Sequence, residues 1–132
     1  MTYYEYIKSL SKNEMIILLL YMCVNTEMLK SGFRVKNYIW PGLLFRFYSH
    51  RNIKPEKVNV DGFLSQEYDG RNVYQHFRDM SLEEMSGALG LLAISERARE
   101  DVLFGGEPVH ILGAKSRPSK MILRWLGREV KE

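Results

Sequence analysis

The feature that most restricts this chain is the run Met15, Ile16, Ile17, Leu18, Leu19, Leu20, Tyr21, Met22, Cys23 and Val24, which is apolar on every side. A helix through it has no polar stripe, and such a helix is stable only when other elements surround it. Ser11 and Glu14 stand three apart just ahead of the run. That is the spacing of a capping box, in which hydroxyl and carboxylate satisfy orphan backbone N–H groups of the first turn. Gly32 follows the polar stretch from Asn25 to Lys30 and can close the helix in the left-handed conformation. A buried helix over residues 12–30 is therefore expected, with the rest of the chain wrapped around it.

The run is too short for a bilayer, which takes about 20 apolar residues. Nor does it read as a secretion signal: Glu5, Lys8 and Lys12 precede it among tyrosines, and no small-residue cleavage site follows Val24. At 132 residues, with 45% hydrophobic and 27% charged, the chain can bury a core as a single domain, 1–132, without disulfide or metal. The one cysteine, Cys23, lies inside the apolar run. It suits a reducing, cytoplasmic setting and reads as a small buried hydrophobe rather than a nucleophile.

Tyr3, Tyr6, Ile7 and Leu10 fall at helical spacing, which predicts a short amphipathic helix packed back on the central one, its hydroxyl tips wet. Residues 33–40 alternate briefly and suit an edge strand or extended loop. Pro41 occupies a first helical position before Leu43, Leu44, Phe47 and Tyr48, which share one face, while Arg46, His50 and Arg51 lie off it. An aromatic helix with a basic rim fits either a core or a base-stacking surface. Val58 to Leu64 reads as two very short strands about Asp61-Gly62. Residues 71–80 suit a helical turn or two, bringing His76 and Asp79 within reach of each other. A second capping box, Ser81 and Glu84, opens a helix through Met85, Ala88, Leu89 and Leu92. Val109 to Leu112 is strand or buried connector. Gly105-Gly106 is no phosphate loop, because no Gly-Lys-Ser/Thr follows it.

Leu82, Met85, Leu89, Gly90 and Leu91 resemble the first helix and turn of a helix-turn-helix. The resemblance breaks at Glu96 and Arg99, where a recognition helix needs apolar residues. Residues 95–101 carry more acids than bases and are repelled by phosphates. Two packed helices with Ala98, Val102 and Leu103 turned inward are expected instead.

From Pro118 and Ser119 a last helix is expected, with Met121, Ile122, Leu123, Trp125, Leu126 and Val130 on one broad arc. At about 100° per residue, Arg117, Lys120, Arg124, Arg128 and Lys131 fall within roughly 80° of one another on the remaining arc. The fold class that emerges is mainly α: a compact bundle of about five to seven helices around the buried helix (residues 12–30), with at most a small β-hairpin.

A net charge of +3 does not argue for nucleic acid by itself. Its distribution is more telling, with basic clusters at 46–57 and 115–131 and an acid-leaning stretch at 83–101. The expected function is a non-enzymatic small regulatory protein that binds nucleic acid through its basic C-terminal helix. Its contacts are Arg117, Lys120, Arg124, Arg128 and Lys131, joined by Arg46 and Arg51. The alternative is a protein-interaction module, an adaptor or an inhibitor of a host enzyme of the kind mobile elements encode. Aromatic and methionine content suits that reading too. His50, His76 and His110 lack metal-ligand spacing, and no nucleophile–base pair is local. No metal, cofactor, membrane partner or enzymatic chemistry is therefore expected.

Overall fold

The computed structural model describes residues 1–24, 58–113 and 120–129. In chain order the elements are α1 (Tyr3–Lys8), α2 (Lys12–Val24), α3 (Val60–Ser65), β1 (Glu67–Tyr68), β2 (Arg71–Asn72), α4 (Val73–Asp79), α5 (Leu82–Ile94), α6 (Glu96–Phe104), α7 (Val109–Leu112) and α8 (Lys120–Leu126). The architecture is mainly α with one small antiparallel hairpin. The helix end at Gly32, the extended residues 33–40, the helix after Pro41 with Arg46 and Arg51, and also Arg117, Val130 and Lys131 lie outside the described residues.

Helix α2 takes the place its sequence demands. The Glu14 N–H donates to the Ser11 hydroxyl at 3.2 Å and the Ser11 N–H to the Glu14 carboxylate at 3.0 Å, completing the capping box. Met15, Leu18, Leu19, Tyr21, Met22 and Cys23 are buried, Ile16, Ile17 and Leu20 are half-buried, and no residue from Met15 to Cys23 is exposed. The helix packs against α3 and α6. These contribute Phe63, Leu64, Ala98 and Val102 to the same buried cluster. At the rim an exposed pair, Lys12 with Asp61 at 2.9 Å, joins the start of α2 to α3.

Two segments depart from the expected β character. Val58 to Leu64 does not turn at Asp61-Gly62. Asn59 caps a helix instead, its side-chain oxygen accepting the Gly62 N–H at 3.0 Å. Val60, Phe63 and Leu64, spaced i, i+3, i+4, are all buried on one face of α3. The hairpin forms at the next Asp-Gly pair, with Glu67 opposite Asn72 and Tyr68 opposite Arg71. Its two-residue turn needs positive φ at both positions, which Asp69 (50°) and Gly70 (82°) supply. Val109–Leu112, read as strand or connector, is a single helical turn with Ile111 buried. These reassignments bring the helices to eight among the described residues.

The second capping box is also formed, at 3.1 Å in both directions between Ser81 and Glu84. Ser95 both ends α5 and caps α6, so no turn of several residues separates them, and Gly90 lies within α5 rather than at a turn. The Arg99 guanidinium donates to the carbonyls of Leu92 and Ala93 at 2.8 and 3.4 Å, satisfying the last acceptors of α5. Ala98 and Val102 are buried and Leu103 is half-buried, the packed pair expected in place of a helix-turn-helix. Helix α1 packs chiefly on α4 and α8 rather than on α2.

Leu19 is only 2% exposed. Leu19→Ala should cost about 2–5 kcal/mol through lost burial and the cavity left behind, and Ile17→Ala, at a half-buried site, about half as much. Urea-unfolding midpoints of the two variants check both the size and the order.

Candidate nucleic-acid interface

Helix α8 is held by its apolar side. Ile122, Trp125 and Leu126 are buried and Leu123 is half-buried, but Met121, expected on the apolar arc, is 51% exposed. The Trp125 indole stacks on the Tyr3 ring, centroids 4.3 Å apart and planes at 18°. The Tyr3 N–H donates to the Arg128 carbonyl at 2.9 Å, and Thr2 bridges antiparallel to Glu129. The start of α1 thus clamps the segment that follows α8.

This clamp changes how the basic residues are displayed. The helix ends at Leu126, and the Arg128 N–H reaches back to the Trp125 carbonyl at 3.0 Å in a tightened last turn. Lys120 and Arg124 share one helical face, four residues apart. Arg128 lies beyond the helix in a bend, so the expected stripe does not reach Arg128 as a continuous helical face. Lys120, Arg124 and Arg128 are all exposed, and among the described residues their side chains make no ion pair or hydrogen bond. Arg124 also sits in the last turn, where helix carbonyls favour a cation. The other expected contacts, Arg117, Lys131, Arg46 and Arg51, lie outside the described residues.

Elsewhere the surface has the opposite character. A groove of about 580 Å³ runs between the hairpin, the end of α4, the start of α5 and α7. Met80, Ala88, Ile111 and Leu112 give it apolar walls, and Asp69, Asp79, Glu83 and Glu84 outnumber Arg71 and His76 in its lining. Phosphates are repelled there.

His76 and Asp79 do not meet directly. Arg71 on β2 stands between them, its Nη1 donating to Asp79 at 2.6 Å and its Nη2 lying 3.3 Å from His76 Nδ1. The other ring nitrogen, Nε2, bonds the Tyr68 carbonyl. A carbonyl only accepts and a guanidinium only donates, so the ring proton sits on Nε2 and Nδ1 accepts. Helical spacing could not reveal Arg71, because it lies on a strand. In the same way His110 Nδ1 donates to Asp101 at 2.9 Å, and a Cβ added at Gly106 would collide with that carboxylate.

Cys23 is buried, and burial pushes its thiol up to about 12 while Arg99 pulls the other way. Among the described residues no cluster of His, Cys, Asp and Glu could hold a metal ion, and no helix is long and apolar enough to cross a membrane. No protein-family model, curated protein or solved structure matches the chain.

A thiol raised on folding stabilises the native state fully below its unfolded value of about 8.5, and that contribution is lost as pH rises through the folded value. At about pH 8 the native thiol should therefore react with an aromatic disulfide reagent far more slowly than the denatured chain does. Rapid stoichiometric reaction of the native protein contradicts this burial.

Proposed function

We propose that this protein is a non-enzymatic nucleic-acid-binding regulator whose α8 edge meets the phosphate backbone. One observation carries the reading. Lys120, Arg124 and Arg128 are exposed and, among the described residues, without acidic partners, on a segment whose opposite side is buried and whose end is pinned by Tyr3. Cations displayed in this way gain affinity for a polyanion mainly by releasing its counterions, largely without regard to base sequence.

Changing all three to Glu leaves Ile122, Trp125 and Leu126 to pack, so the fold should survive. Each phosphate neutralised contributes about 0.9 to the slope of log K against log salt, so the salt slope on duplex DNA should fall by about 3. Affinity at low ionic strength should drop by orders of magnitude. The matched control reverses Glu96 and Glu100, which are exposed on α6, and should not weaken binding. Asp101 is left out of the control because it holds His110 and lies against Gly106. An unchanged salt slope in the triple variant overturns the role of α8.

A second reading, a protein-interaction module, is favoured by the exposed Ile94, Phe104 and Val109 near the ends of α5 and α6 and the start of α7. It gains if the parent binds neither duplex nor single strands at low salt. In that case a copurifying protein should be lost on changing those three side chains to polar ones.

A further inference from the structure

A second cationic cluster lies away from α8, in a cleft of about 410 Å³ lined by Lys8 at the end of α1, Arg71 on β2, and Gln75, Arg78 and Asp79 on α4. Its donors are braced by the fold. The Tyr4 hydroxyl donates to the Met80 carbonyl and the Tyr74 hydroxyl to the Leu10 carbonyl, each at 2.6 Å, so both phenol rings are fixed against backbone. Lys8 Nζ lies 4.9 Å from the centre of the Tyr4 ring and donates to its hydroxyl at 3.2 Å. The Arg78 guanidinium lies 5.8 Å from the centre of the Tyr74 ring. In both pairs ring and cation are four residues apart on one helix, the spacing that lets a cation rest over an aromatic face.

The hydrogen-bonding capacity of the cleft is one-sided. Gln75 Oε1 accepts the Asn72 N–H at 3.1 Å, which leaves the amide nitrogen, a pure donor, without a partner among the described residues. Lys8 and Arg78 are donors only. The carboxylate in the lining, Asp79, is already taken by Arg71 at 2.6 Å. Three cations against one carboxylate leave two net positive charges beside an unspent amide N–H₂. The donors arrive from two helices, which suits a tetrahedral oxyanion with several acceptor oxygens better than a flat carboxylate.

We propose that this cleft binds a phosphate group, held by Lys8, Gln75 and Arg78 with Arg71 alongside. The assignment does not depend on α8. The phosphate can belong to a nucleic-acid backbone or to a small phosphorylated molecule, and the chemistry of capture is the same for both.

The test is a titration of pyrophosphate into the ¹⁵N-labelled full chain at constant ionic strength in chloride, following the Gln75 side-chain amide and the binding heat. The expected result is a saturable shift of that amide. Lys8→Gln and Arg78→Gln should each weaken it about tenfold, the value of one charge-assisted hydrogen bond. The triple Glu variant at Lys120, Arg124 and Arg128 should bind pyrophosphate like the parent, which separates this site from α8. A parallel titration with a short single-stranded oligonucleotide identifies the source. A Gln75 shift reversed by pyrophosphate assigns the site to the nucleic-acid backbone, and a response to pyrophosphate alone assigns it to a small phosphorylated ligand. A Gln75 amide unmoved by pyrophosphate overturns the proposal, as does undiminished affinity in both variants. Arg78→Gln carries the test alone if Lys8→Gln disturbs α1.

Discussion

The removal of α2 from water is the constraint on which the rest of this molecule depends. A buried Leu, Ile or Met side chain contributes about 1.5–3 kcal/mol, and α2 offers such groups on all sides. Covering them requires neighbours with apolar faces of their own, which α3 supplies through Phe63 and Leu64 and α6 through Ala98 and Val102. Charged residues are thereby driven to the edges of the packed elements, because an unpaired charge near α2 would cost more than the fold can spare. The chemistry open to the protein lies at those edges.

Helix α1 organises two of them despite its length of six residues. Tyr3 stacks on Trp125 and its N–H holds Arg128, which fixes the cationic end of α8. Tyr4 bonds the Met80 carbonyl and carries Lys8 over its ring, which fixes one wall of the phosphate cleft. The capping box of Thr2 and Glu5 starts this helix, and the hydrogen bonds from Thr2 hold the Glu5 carboxyl below its usual range. The acid-lined groove opens towards α5 and α7, and the Arg71–Asp79 pair lines both it and the phosphate cleft. That ion pair is therefore the border between a phosphate-attracting and a phosphate-repelling surface, while Lys8, Gln75 and Arg78 belong to the cleft and Glu83 and Glu84 to the groove.

What the sequence revealed and what it hid follow from the range of the interactions involved. The two Ser/Glu capping boxes, the all-apolar α2 and the inward Ala98 and Val102 are local patterns, and each is present in the structure. The two Asp-Gly pairs are the same local signal with different outcomes. Asn59 and the i, i+3, i+4 burial of Val60, Phe63 and Leu64 make the first one a helix start, whereas Asp69-Gly70 turns a hairpin. Periodicity extended α8 past Leu126 because it cannot register the Tyr3 clamp, which comes from the other end of the chain. Arg71 between His76 and Asp79 was hidden for a similar reason, as strand and helix do not share a spacing. The phosphate cleft left a trace that was readable: Tyr4 with Lys8 and Tyr74 with Arg78 are both aromatic–cation pairs at i, i+4. Nothing local shows that α1 and α4 place the two cations, Lys8 and Arg78, in one cleft.

Native-state hydrogen exchange tests most directly the claim that a helix without a wet face holds this fold and leaves the charged edges free to vary. The amides of Leu18, Leu19 and Met22 should exchange only through global unfolding, with the same opening free energy in the parent and in the variant carrying Glu at Lys120, Arg124 and Arg128. Exchange of those amides through local opening well below the global free energy would contradict the central place of α2. A fall in their protection confined to the α8 variant would contradict the separation of the charged edge from the core.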